Sequence, residues 1–328
     1  MLTVRDVSTS LDMTAAQRRL YGHDANGDFF VVGPTATGKS ELAADVAQQI
    51  GAEIINADAF QIYRGLDLLT AKPDAGTLAK VPHHLSGTVP LQEEMNAEKF
   101  RRAASRVIGE IHSRDKPALV VGGSGLYIKT LTHGLAALPE PDPNLRVRLN
   151  KMSLNELRRR LADLDPETAR KIDMQNQRRL VRAVEICLLI GKPVSEQWIQ
   201  WRSTTPASGV FVFRDRDELY TRINNRVEAM FENGVIEEAR AAGAMSSTAS
   251  KIIGLREIGQ LLEGKMSILQ CVAAIQQGTR RYAKRQLTWF RRQTNFESLN
   301  LSLLSHNEAV KWILLRAQSR KLSAHRDD

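Results

Sequence analysis

The stretch GPTATGKS, Gly33 to Ser40, decides the fold. It fits GxxxxGK[ST] at every defined position, and both flanks supply the context that such a loop needs. Before it, Asp28–Val32 (DFFVV) is a short apolar run that stops at Gly33-Pro34, the pattern of a buried strand entering a turn. After it, ELAADVAQQI places Leu42, Ala43, Val46 and Ile50 on one helical face, and Gly51 supplies a C-terminal stop. In a strand–loop–helix of this kind, backbone N–H groups and the helix N-terminus cradle a diphosphate. The candidate loop is Gly33, Pro34, Thr35, Ala36, Thr37, Gly38, Lys39 and Ser40. Lys39 would neutralise terminal oxygens, and the Ser40 hydroxyl would help to hold Mg²⁺.

Outward from the loop the same alternation repeats. Glu53–Asn56 reads as a strand ending near Asp58, and Ala118–Val121 as one ending at Gly122-Gly123. Strands alternating with helical segments predict an α/β fold, a P-loop NTPase-like core with a parallel sheet flanked by helices. LPEPDPN around Leu138 reads as a connector, as does the Ser/Thr/Pro-rich stretch 203–209. Between them the sequence is helical in character. The expected organisation is a leader over 1–27, a catalytic core over 28–140 and 205–300, an inserted helical subdomain over 141–204 and a tail over 301–328. Two further long helices are expected at about 217–242 and 267–292.

Composition narrows the class. In 328 residues there are 46 Lys and Arg against 37 Asp and Glu, a net charge of +9. No stretch approaches the ~18 uncharged apolar residues of a membrane span, and the N-terminus has no apolar core of signal-peptide length. Cys187 and Cys271 stand far apart with no ligand-like neighbours, so the expected compartment is the cytoplasm. The charge is unevenly placed. Residues 1–140 hold 14 basic and 16 acidic residues, whereas 141–328 hold 32 and 21. A basic half of this kind points to a polyanionic partner, phosphate backbone first among them.

The P-loop by itself leaves the reaction open. The ALVV strand meets Gly122-Gly123-Ser124 without an acid, and the nearest carboxylate beyond a strand is Asp58. There it could ligate magnesium, as in a hydrolase, or take a proton from an acceptor, as in a transferase.

The segment DAFQIYRGLDLLTAKP, Asp58 to Pro73, resembles the DSxQxYxGxDxGTAKP signature of the tRNA dimethylallyltransferases, also called tRNA isopentenyltransferases. VPHHL (81–85), VGGSGLYIKTL (121–131), QRRLVRAVEI (177–186), IGLRE (253–257) and KRQLTWFR (284–291) are similar to that family's further motifs, in the family's order. The resemblance runs from about residue 29 to 296 and points to a bacterial-type enzyme. It implies transfer of a dimethylallyl group from its diphosphate to the exocyclic amine of the adenosine just 3′ of the tRNA anticodon, with Mg²⁺ assisting. The loop would then hold the donor's diphosphate.

Residue by residue, the resemblance makes Asp58 the general base, and Lys39 and Arg280 the cations at the departing diphosphate, with the register of Arg280 against Arg281 open. Asp58, Ala59, Phe60 and Gln61 match the segment that meets the target base, and Ser124 stands where the family usually has Thr. Arg146, Arg178, Arg179, Leu180, Val181, Arg182, Lys251, Arg256, Lys284, Arg285, Gln286 and Arg291 match segments that contact tRNA. A monomer is expected, with tRNA and dimethylallyl diphosphate as partners and Mg²⁺ as cofactor. The sequence departs from the pattern at Ala59 (usually Ser) and Leu69 (usually Gly), and neither change removes a group that the chemistry requires. The alternatives are an adenylate isopentenyltransferase acting on free nucleotides, which has no need of the basic half, and a small-molecule P-loop kinase.

Overall fold

The computed structural model describes residues 28–134, 138–196 and 207–324. The leader over 1–27 and the end of the expected insertion, 197–204, lie outside the described residues. A six-stranded sheet in the order β3-β2-β4-β1-β5-β6 forms the core. Its strands are β1 (Phe29–Val32), β2 (Glu53–Asn56), β3 (His83–His84), β4 (Ala118–Gly122), β5 (Ser208–Phe213) and β6 (Glu297–Asn300). Every neighbouring pair is parallel. The apolar runs FFVV, EIIN and ALVVG are buried on both faces, as strands covered by helices on each side must be.

The helix after the phosphate loop, α1 (Lys39–Ile50), buries Leu42, Ala43, Val46 and Ile50 against the sheet and stops at Gly51, whose φ is 70°. The next helices are α2 (Ala75–Lys80), α3 (Ala97–His112) and α4 (Gly125–His133). Beyond the insertion come α9 (Arg216–Glu232) and α10 (Val235–Ala241), then α11 (Leu255–Leu262) and α12 (Ile268–Gln293). The single helix expected near 217–242 is thus broken at Gly234, which sits at φ 91°. α12 has 26 residues, about 39 Å at ~1.5 Å per residue. Its buried stripe runs from Cys271 through Ile275, Thr279, Ala283 and Gln286 to Phe290.

The expected tail is part of the core. Leu299 and Leu301 are buried at β6, and α13 (His306–Ala324) packs Ala309, Val310 and Ile313 into the same cluster as Val46 and Ile54. Ala309, Val310, Ile313, Leu314 and Ala317 recur along one face of that helix and pack beside Leu42, Val46 and Ile50 of α1.

Glu53 opens β2 and is buried between two cations and an imidazole: Arg114 Nη2 at 2.7 Å, Lys116 Nζ at 3.0 Å and His84 Nε2 at 2.7 Å. Burial works to raise its pKa, but these hydrogen bonds prevail and hold the carboxyl down to about 2 from the usual 4.5. A depressed carboxyl stabilises the fold above its unfolded-state pKa and loses that contribution as pH falls through the folded value. Unfolding followed between pH 5 and 2 should therefore lose on the order of 2–3 kcal/mol through this group. Glu53→Gln should flatten that slope.

Within Lys129–Pro206 the described residues form a second compact unit. It starts earlier than the expected boundary at 141 because the division falls within α4. It contains α5 (Pro143–Asn150), α6 (Leu154–Leu164), α7 (Pro166–Lys171) and α8 (Gln177–Ile190), which bury Leu149, Leu157, Leu161, Leu180 and Val184 together. Inside it Glu185 is fully buried and accepts hydrogen bonds from Arg146 (2.9 and 3.1 Å), Arg182 (2.6 Å) and the Asp142 amide (3.1 Å). Removing one partner of such a cluster strands the others. Glu185→Ala should cost about 2–3 kcal/mol in denaturant unfolding, allowing for the partial exposure of both arginines. A loss under about 0.5 kcal/mol would mean that the cluster adds no stability.

Candidate active site

In a parallel sheet all carboxyl ends lie on one edge, and ligands bind there. Along that edge the order β2-β4-β1-β5 sets Asp58, the Gly123-Ser124 turn, the phosphate loop and Arg214 side by side. Backbone bonds tie these ends together: Gly33 N donates to Gly122 O at 3.3 Å, and Ala57 N donates to Val121 O at 2.7 Å.

The loop itself is shaped for an anion. Gly38 precedes α1 at φ 90°, and Ala36 adopts φ 66°, a strained conformation for a residue with a Cβ. Lys39 is buried, and its Nζ lies 3.4 Å from Pro34 O. Three arginines outside the sequence motifs brace the loop from the end of β5 and from α9. Arg214 donates to Thr37 O at 2.8 Å, Arg222 to Ala36 O at 2.8 Å, and Arg226 to Thr35 Oγ1 at 2.8 Å. They lack a motif of their own. Arg222 and Arg226 share one face of α9, but their place at the loop depends on β5 lying beside β1.

Arg226 also keeps its Nε buried without a hydrogen-bond partner. Burial pushes its pKa down to about 10, against the pull of Asp58 and with Arg222 adding to the depression. Burial likewise brings Lys39 down to about 8, opposed by Asp58 and assisted by Arg226. Two desolvated cations and one carboxylate leave an uncompensated positive charge, and an anionic ligand relieves it.

Asp58 is 8% exposed. Its Oδ1 accepts from the amides of Phe60 at 2.9 Å and Gln61 at 3.3 Å, which fixes the carboxylate plane and leaves Oδ2 to take a proton. Ser124 Oγ accepts from the Ala59 amide at 2.8 Å, so the Ser in place of Thr keeps a working hydroxyl. Tyr282 and Tyr127 are both raised above the usual phenol range, first by burial and then by Asp58 or neighbouring phenols, and Phe60 lies 5.8 Å from the Tyr282 ring. The result is a carboxylate in a largely aromatic recess beside a cationic loop.

The other expected site residues are placed as follows. Arg280 donates to Asn224 Oδ1 at 2.6 Å and lies 5.9 Å from the Tyr220 ring centroid, while Arg226 is the arginine joined to the loop. Gln286 is buried between Thr35 and Gly123 and does not present its amide to solvent. Gln61 spends its NH₂ on Thr70 O and Ala71 O. Leu180 and Val181 lie in the core of the second unit, and Arg146 and Arg182 are held by Glu185. Arg178, Arg179, Lys251, Lys284 and Arg291 are exposed, as is Arg285 beside Tyr282. Arg256 is exposed too and pairs with Glu257. Leu69, in place of Gly, is buried with its amide on Glu238, and it packs where a side chain on Gly254 would stand.

Magnesium can be weighed against the groups present. Among the described residues no three His, Cys, Asp or Glu side chains cluster as a metal cage. Ser40, half-buried in the first turn of α1, offers a hydroxyl. A hard cation that keeps its waters and takes phosphate oxygens needs little more from the protein, so the donor set fits.

A family model described as IPP transferase matches residues 61–293. A protein of Citrifermentans bemidjiense named tRNA dimethylallyltransferase 1 is 44% identical over 274 residues, 80% of this chain and 88% of its own length. A tRNA dimethylallyltransferase of Geobacter sulfurreducens is 42% identical over 296 residues, covering 86% and 90%. Among solved structures, the tRNA isopentenylpyrophosphate transferase of Bacillus halodurans is 31% identical with a TM-score of 0.67, covering 91% of this chain and 99% of that one. The motifs from Asp58 to Arg291 and this extended similarity agree, and the chain belongs to the IPP transferase family.

Proposed function

We propose that the protein transfers a dimethylallyl group from dimethylallyl diphosphate to the N6 amine of the adenosine 3′-adjacent to the anticodon of tRNA, releasing diphosphate. The observation that carries this reading is the pairing of a buried Asp58 with the cationic loop of Lys39 and Arg226 on one sheet edge, in a chain similar to tRNA dimethylallyltransferases over most of its length.

The chemistry follows from those groups. An allylic diphosphate ionises when charge on the departing oxygens is neutralised, and Lys39 and Arg226 sit desolvated at the loop that would receive it. Magnesium, when bound at Ser40, supplies further neutralisation of the diphosphate oxygens. An adenine amine is a poor nucleophile, and Asp58 Oδ2 would accept its proton as the new C–N bond forms. The target base lies within an RNA loop, so it must be turned out of its stack to reach a recessed carboxylate. Phe60 and Tyr282 furnish aromatic surface there.

The exposed cations Lys284, Arg285, Arg291 and Arg292 along α12 suit an RNA backbone, as do Arg178 and Arg179 on the second unit. No helix among the described residues is long and apolar enough to cross a membrane, and tRNA as acceptor fits the cytoplasm. The test is incubation with labelled dimethylallyl diphosphate and either unmodified tRNA, AMP or no acceptor. Label in tRNA alone is expected; label in AMP would move the chain to the adenylate enzymes, and label nowhere would reject a prenyltransferase.

A further inference from the structure

We propose that Gln286 is a positioning residue that sets the donor loop against the acceptor-side turn, its one side-chain amide holding the Thr35 N–H and the Gly123 carbonyl at once. The inference rests on the prenyl-transfer reading above and concerns how its two halves are held in register.

The bonds form a continuous path. Thr35 N donates to Gln286 Oε1 at 2.9 Å, and Gln286 Nε2 donates to Gly123 O at 2.9 Å. One residue on, Ser124 N donates to Ala57 O at 3.2 Å and Ser124 Oγ accepts from Ala59 N at 2.8 Å, on either side of Asp58. The loop that carries Lys39 and the segment that carries Asp58 are thus joined through one amide from α12. Beyond the ends of β1 and β4 the two segments leave the sheet ladder, and the amide takes over its role. Gln286 is 5% exposed, so these bonds have no competition from bulk water.

The fit admits few other side chains. A Cβ on Gly123 would lie 2.3 Å from Gln286 Nε2, so glycine there is what lets the amide reach the carbonyl. The partners fix the amide's orientation, oxygen toward the N–H and nitrogen toward the C=O. An ionised Glu keeps the acceptor and loses the donor, Met loses both, and Asn is shorter by about one carbon–carbon bond, ~1.5 Å. Thr35 is separately held by Arg226, and the loop carbonyls by Arg214 and Arg222, so the loop keeps its anion-binding form without Gln286. What is lost is its placement relative to Asp58. Misplacement by about 1 Å is enough to cost up to ~10²-fold in rate.

The test measures kcat for dimethylallyl transfer to tRNA and, separately, binding of inorganic diphosphate, in the wild type, Gln286→Met and Gln286→Glu. Gln286→Met should lower kcat about 10–100-fold with the diphosphate dissociation constant within about threefold of wild type. Unchanged kcat, or a loss matched by equal loss of diphosphate binding, overturns the proposal. Gln286→Glu carries the decision if the Met variant does not fold. A protonated Glu offers the same acceptor and donor as Gln, so the ratio of its kcat to wild type should rise as pH falls from about 8 to 6. The other titratable groups of the site, Asp58, Lys39, Arg226, Tyr127 and Tyr282, are present in both proteins, so a change in that ratio reports the substituted carboxyl together with its coupling to them. A ratio that is flat or falls toward acid overturns the proposal. Wild-type protein that transfers no label overturns the function itself, which is a separate reading of the same experiment.

Discussion

Asp58→Asn should lower turnover of dimethylallyl transfer about 10²–10³-fold, with diphosphate expected to bind as well as in the wild type or more tightly. The substitution keeps an oxygen to accept from the Phe60 and Gln61 amides, so the local turn survives. What disappears is the base. Asp58 also contributes the one charge that opposes the depression of Lys39 and Arg226. Without it the pocket becomes more positive, and an anion gains where the wild type had partial internal compensation. Rapid-quench turnover at saturating donor, paired with calorimetry of inorganic diphosphate, separates the two effects. Weakened diphosphate binding together with near-normal turnover would exclude Asp58 as the base and make it a structural anchor.

Features written locally in the chain are legible in it, and features that depend on strand order are not. The loop at 33–40, β2 and Gly51 were legible because each is written locally: an apolar run, a turn that only particular residues can make, and a 3.6-residue stripe. Asp58 became visible through motif context and its place at a strand end. The arginines of α9 were not legible, since their role depends on β5 lying beside β1, and strand order is a non-local property. Gln286 carries two local signals that point different ways. Within KRQLTWFR it sits among exposed cations, yet helical periodicity puts it with Thr279, Ala283 and Phe290 on the buried side. Arg146 and Arg182 look like free cations in sequence, and only the fold brings Glu185 between them. Basic residues near a motif therefore divide into those that face solvent and those already paired, a division that net charge does not contain.

Arg226→Ala should lower kcat/KM for dimethylallyl diphosphate about 10²–10³-fold, whereas Arg280→Ala should change it less than about tenfold. The contrast follows from what each guanidinium touches. Arg226 donates to Thr35 within the phosphate loop, retains a buried Nε without a partner, and feels both Asp58 and Arg222. A cation already desolvated there gains most as charge builds on the departing diphosphate, because little solvent must reorganise around it. Arg280 is engaged with Asn224 and the Tyr220 face, a packing contact between α12 and α9. Its loss would act through the seating of α9 and would appear mainly as reduced stability. Arg226→Lys adds a third reading: a point charge without the guanidinium fork should recover donor binding before it recovers turnover. If Arg280→Ala proves as damaging as Arg226→Ala at unchanged stability, then α12 supplies the diphosphate arginine and the α9 cations serve only to shape the loop.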